Sequence, residues 1–136
     1  SKTNLRQEIA IDALPSKVWK VLTEPDYTSQ YFPLENLAPI GLEALLSNKK
    51  QNSQAGKEQN MGFVSEVVPG QLLKFSLLED RASNTITTTY WLRPEQNAVQ
   101  LKNFLEGFAD TDEEYQLRWQ QIKLQLQKIK WLAEYG

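Results

Sequence analysis

The chain has 136 residues, 40% of them hydrophobic and 24% charged, with a formal net charge of −2. That length supports one domain with a core of its own, and the charge balance argues against non-specific nucleic-acid binding, which needs clustered Lys and Arg to displace counterions. Cysteine and histidine are both absent, so composition excludes disulfides, thiol nucleophiles, His-bearing metal sites and a Ser-His-Asp triad.

No apolar run approaches the roughly 18 residues of a membrane span. The opening "SKTNLRQ" reads as the start of a domain that has lost its initiator Met, not as a signal peptide. Absence of Cys fits a reducing cytoplasm, the expected compartment. In chain order, "LRQEIAIDA" alternates Leu5, Ile9 and Ile11 against polar neighbours, with Gln7 breaking the rhythm, and predicts a half-buried strand. Pro15 suits the first position of a helix, and Val18, Trp19 and Leu22 give that helix one apolar face. Pro25 stops it by disfavouring helical geometry at the residue before. Asp26 is then placed to cap a second short turn ending at Tyr31 and Phe32.

Residues 41–47 fit helix and strand equally: "GLEALL" is rich in helix formers, yet Leu42, Ala44 and Leu46 alternate. The polar stretch from 47 to 60 predicts a long loop or hairpin tip. An antiparallel meander follows. "GFVSEVV" is a strand, Pro69-Gly70 a turn, "QLLKFSLLE" a strand, "EDRASN" a turn, "TITTTYWL" a strand, "RPEQNA" a turn and "VQLKNFLEG" the last strand. The period then changes from 2 to 3.6. Thr111 and Glu114 form a capping box opening a helix to about Glu134. The acids of "DTDEE" are read as partners of that helix's dipole, not as a metal or carboxylate pair.

This order, with "IAIDALPSKVWKVLTEPDYTSQYF", "GFVSEVVPGQLLKFSLLED", "NTITTTYWLRPEQNAVQL" and "RWQQIKLQLQKI", resembles the homologues of the activator of heat-shock protein 90 ATPase. That family lies within the START-like or SRPBCC superfamily, and the resemblance runs over essentially the whole chain. It departs at Gly41-Leu42-Glu43, at Tyr31-Phe32 where a Trp-led pair is usual, and at Lys123 where an apolar residue is expected. The chaperone-binding domain that precedes this one in such activators is not among these residues. The resemblance implies an α+β helix-grip fold, a curved antiparallel sheet around a long C-terminal helix, commonly with an apolar cavity between them.

At about 100° per residue, Tyr115, Ile122, Leu126, Ile129 and Ala133 fall within about 80° of Trp119, and that face should meet the sheet. Strand alternation gives Phe63, Ser65, Val67, Phe75, Leu77, Thr88, Tyr90, Leu101 and Asn103 as the facing residues. Tyr31 and Phe32 would close one end. Ser65, Thr88 and Asn103 would orient a ligand in an otherwise apolar pocket, or stand as satisfied or solvent-turned side chains. Trp19, Phe63 and Phe75 read first as core packing, while Tyr31, Tyr90 and Trp119 fit core and site alike, since a buried Tyr O–H or Trp N–H needs a partner. Lys123, about 40° from Trp119, either reaches an anionic ligand group or lays its stem along apolar surface. On the opposite side Leu117, Leu124 and Trp131 recur every seven residues, an interface stripe or merely exposed apolar residues. The sequence thus predicts a non-enzymatic domain for a small hydrophobic or amphipathic molecule, with no cofactor or metal. The alternative is a chaperone-associated module or homodimer using the stripe. A third reading is a cyclase or hydratase working from Tyr90 and a carboxylate.

Overall fold

Alternating burial along the strands decides the architecture. On the strand Ala98–Glu106 every second residue is buried, from Val99 to Leu105, which requires one face against a core. The computed structural model describes residues 4–31, 62–79 and 84–136; the expectations for Phe32 and for residues 41–60 fall outside these. The elements are β1 (Asn4–Ile11), α1 (Pro15–Thr23), α2 (Pro25–Thr28), β2 (Gly62–Val68), β3 (Leu72–Glu79), β4 (Asn84–Glu95), β5 (Ala98–Glu106) and α3 (Asp112–Tyr135). The strands form one antiparallel sheet in the order β1-β5-β4-β3-β2. The long helix α3 lies on its inner face, nearest to β1 and α1. This is the helix-grip fold.

Local chemistry explains the joints. Gly70 has a φ of 79° and follows Pro69, while Gln71 N–H donates to Val68 O at 2.9 Å, as a Pro-Gly turn with a positive φ at its third residue requires. The β4–β5 turn is tighter than the six residues expected. Pairing continues to Glu95 and Ala98, which leaves only Gln96 and Asn97 between the strands. The second short helix is capped differently from expectation: Glu24 occupies the N-cap and Pro25 the first turn, with Asp26 inside it. Thr111 caps α3, its hydroxyl accepting from Glu114 N–H at 3.0 Å. Only half of the expected capping box forms, because the Glu114 carboxylate instead takes Arg118 at 2.7 Å.

The far end of α3 is tied to β1. Glu134 accepts from Lys130 Nζ at 2.6 Å and from Asp12 N–H at 2.7 Å, and Lys130 also donates to Ala10 O at 3.0 Å. These bonds, Lys130 first, hold the Glu134 carboxyl below its ordinary pKa. The core between helix and sheet includes Leu5, Ile11, Val18, Val21, Leu73, Phe75, Leu101, Leu105, Ile122, Leu126 and Ile129.

Candidate functional site

Directly paired residues of an antiparallel sheet share a face, so the registers define rows across the interior. Leu5, Leu105, Thr88, Phe75 and Val64 form one row, and Ile9, Leu101 and Leu92 another. Between them runs Gln7–Asn103–Tyr90–Leu73–Val67. Three successive polar side chains therefore cross β1, β5 and β4 in the middle of an apolar interior, beneath α3.

Their partners differ. Gln7, whose polarity broke the sequence rhythm of β1, donates its Nε2 to Trp119 O of α3 at 2.9 Å. Tyr90 donates its hydroxyl to Gln125 Oε1 at 3.4 Å, a long contact for an O–H donor. Asn103 is 0% exposed, and among the described residues neither its Nδ2 nor its Oδ1 has a hydrogen-bond partner. A buried amide left unpaired in this way costs on the order of 1–3 kcal/mol. Burial pushes the Tyr90 hydroxyl far above its ordinary pKa. Burial, and then the neighbouring Tyr90, likewise raise Tyr31. Tyr31 donates to Val21 O of α1 at 2.8 Å. Both phenols are thus neutral hydrogen-bonding groups near pH 7.

The predicted site residues separate accordingly. Phe75, Thr88, Tyr90 and Asn103 from the sheet and Ile122 and Leu126 from α3 are buried on the inner face, with Trp119 and Tyr31 half-buried at its margin. Phe75 and Tyr90 pack with ring centroids 6.4 Å apart. Lys123 is exposed, on the solvent side of the edge where the helical wheel placed it. Ser65 differs from the expected face. The β2–β3 register shifts between Val64 and Glu66, so Ser65 is the extra residue of a β-bulge and stands exposed on the outer face. Before the bulge, Val64 takes the inner position against Phe75, while Phe63 is paired with Ser76, and its side chain lies outside the described ones. Gln7 and Gln125 were missed because each reads from sequence as a surface residue; Gln7's break in the β1 alternation was the available signal.

Two surface recesses both lie on the outer face of the sheet. One, of about 570 Å³, is bordered by Arg6, Gln71, Trp91, Leu92, Arg93, Pro94, Gln100 and Lys102. The other, of about 410 Å³, gathers Ser65, Lys74, Ser76, Thr85, Thr87, Glu106 and Gly107. On the outer side of α3, Leu117, Leu124, Trp131 and Tyr135 are all exposed, Leu124 by 62%. Lys128 lies over the Trp131 ring at 5.0 Å. Among the described residues no group of three or more carboxylates could hold a metal ion, and no helix is long and apolar enough to cross a membrane.

No protein-family model matches the sequence, and no curated protein matches it. Solved structures do. The chain is similar to protein CV1439 of Chromobacterium violaceum at 21% identity, covering 98% of this chain and 99% of that one with a TM-score of 0.68. It is similar to the Aha1 dimer of Colwellia psychrerythraea at 15% identity, covering 98% and 97% with a TM-score of 0.67. It also resembles the di-domain ARO/CYC protein BexL of the BE-7585A biosynthetic pathway at 14% identity and a TM-score of 0.65, covering 96% of this chain and 46% of that one. Likeness at this level of identity establishes the helix-grip fold.

Proposed function

We infer that this domain binds a small amphipathic molecule between the sheet and α3, with the Asn103 carboxamide as its polar anchor. The observation that carries this reading is the enclosed amide whose donor and acceptor both lack partners among the described residues. Native proteins rarely leave such groups unsatisfied without a reason, and apolar pockets use a few polar groups to orient what they hold. The long Tyr90–Gln125 contact leaves a second hydroxyl ready to exchange its partner for a ligand atom. Because Asn103 is enclosed, loading requires the gap between α3 and β3–β4 to open, the side away from the helix's packing on β1 and α1. Binding without catalysis is the favoured activity, since the inner face offers neutral amides and protonated phenols. A general base poised near neutral pH has no counterpart among these groups.

The motif resemblance supports placing the chain with the homologues of the activator of heat-shock protein 90 ATPase, acting in the cytoplasm. A second reading is self-association or chaperone docking through the outer stripe of α3. Exposure of Leu117, Leu124 and Trp131 favours it, and a neighbour of the same fold is described as a dimer.

The deciding experiment is native mass spectrometry of protein purified from its own host, run gently and again after organic extraction. A stoichiometric small molecule retained by the unaltered chain and lost from Asn103→Leu is the expected result. A protein that carries nothing, or Asn103→Leu that retains its ligand undiminished, overturns the proposal. A dimer that Leu124→Asp converts to monomer supports the second reading.

A further inference from the structure

We propose that the outer face of the sheet carries a separate site for a planar aromatic anion, built around Trp91, Lys102, Arg6 and Arg93. The open recess there has a volume of about 570 Å³, inside the range of roughly 300–1,000 Å³ for small-molecule sites. Its composition is unusual for a chain of net charge −2: two guanidiniums and an ammonium border it, and no carboxylate does among the described residues.

The register explains how these groups meet. Trp91 of β4 is paired with Lys102 of β5, and Arg93 with Gln100 one step further along the same two strands. Arg6 of β1 is paired with Phe104 of β5, two residues from Lys102. Cross-strand neighbours on one face lie about 5 Å apart and diagonal ones about 7–8 Å, so Trp91 stands directly beside Lys102, with Arg93 and Arg6 one diagonal step from Lys102 on opposite sides. Trp91 is 42% exposed, offering a stacking surface that is already partly free of protein contact. The Arg6 guanidinium sits over the Phe104 ring at 5.1 Å. That contact holds the guanidinium against the sheet surface, where its N–H groups can donate in a forked pair to an oxyanion.

The neighbouring acids reduce the positive charge of the patch without cancelling it. Glu8, opposite Lys102 on β1, accepts from Gln100 Nε2 at 2.9 Å. Glu95 approaches Arg93 only to 3.7 Å, with both side chains largely in solvent, where such pairs are weak. Lys102 has no ion pair among the described residues. Stacking on Trp91 would select a flat ring, and the cations would select a carboxylate, sulfonate or phosphate upon it. The inner face shares neither property, for its polar groups are uncharged and enclosed.

The test titrates the intact chain with naphthalene-2-carboxylate and, separately, with the neutral isostere naphthalene-2-carboxamide, following backbone and indole resonances by NMR. The carboxylate should move the Trp91 indole N–H and the Arg6 and Lys102 amides. It should bind at least about tenfold more tightly than the amide, the difference a charge-assisted contact supplies, and added salt should erase that margin. Trp91→Ala should abolish the shifts. The double variant Arg6→Gln with Lys102→Gln, which alters only solvent-reaching side chains, should equalise the two probes while keeping the native spectrum. Equal affinity for both probes in the unaltered chain overturns the proposal, as does an unmoved Trp91 or a set of shifts confined to Tyr90 and Asn103.

Discussion

Along β5, Val99, Leu101, Asn103 and Leu105 point toward the helix, while Gln100, Lys102, Phe104 and Glu106 point away. One strand thus presents two chemistries, separated only by the pleat. On the outer side polarity is inexpensive, because water or a neighbour such as Glu8 satisfies Gln100. On the inner side every polar atom must find a partner within the protein, and among the described residues Asn103 has none. A cationic side chain outside is therefore weak evidence of function until geometry groups several of them. A single unsatisfied amide inside is already informative.

The sharpest way to break this contrast is by truncation. Leu101→Ala on the inner face, at a side chain with no exposure, should cost about 2–5 kcal/mol in denaturant unfolding. A loss under about 1 kcal/mol would show that the face is loosely packed. Asn103→Leu, nearly the same in size, should stabilise the ligand-free protein by about 1–3 kcal/mol through removal of two orphaned groups. A destabilised variant would instead mean that the amide is satisfied inside the fold, and would weaken the case for a ligand anchor.

Alkaline titration reports the same face. Tyr90 and Tyr31 have pKa values raised above the ordinary phenol range near 10. Above that pH the unfolded chain ionises while the folded one keeps its protons. Their contribution to stability is therefore complete below about pH 10 and is lost as pH rises beyond it, by up to about 1.4 kcal/mol per unit per tyrosine. Tyr90→Phe should make that alkaline decline shallower; an unchanged slope would place the phenol in water. Thr111→Ala, removing the α3 cap, should cost about 1 kcal/mol, measured by thermal unfolding. Smallest of all, Lys102→Ala on the outer face should change stability by no more than about 0.5 kcal/mol, so that any larger effect would reveal a structural role for the cation.

Legibility followed the range of the interaction that decides each feature. The strand at Ala98–Glu106, the Pro69-Gly70 turn, the helix started by Pro15 and the Thr111 cap were readable because each is set by residues a few positions apart. So was the inward face of Thr88, Tyr90 and Asn103. The face of Ser65 was not, because a bulge is a property of two paired strands and shifts the alternation of one of them without any local mark. Nor could sequence alone show that Gln7 meets Trp119 across 112 positions while Asn103 beside it meets nothing.

The sequence by itself determined the order of strands and helices and the apolar face of α3, since periodicity, caps and turn residues act locally. Composition alone also excluded histidine and cysteine chemistry. Only the tertiary structure decided which polar groups share a row, which of them lacks a partner, and that Trp91 stands among Arg6, Arg93 and Lys102. Those features arise where residues distant in the chain are brought side by side, and cross-strand register, not propensity, sets who the neighbours are.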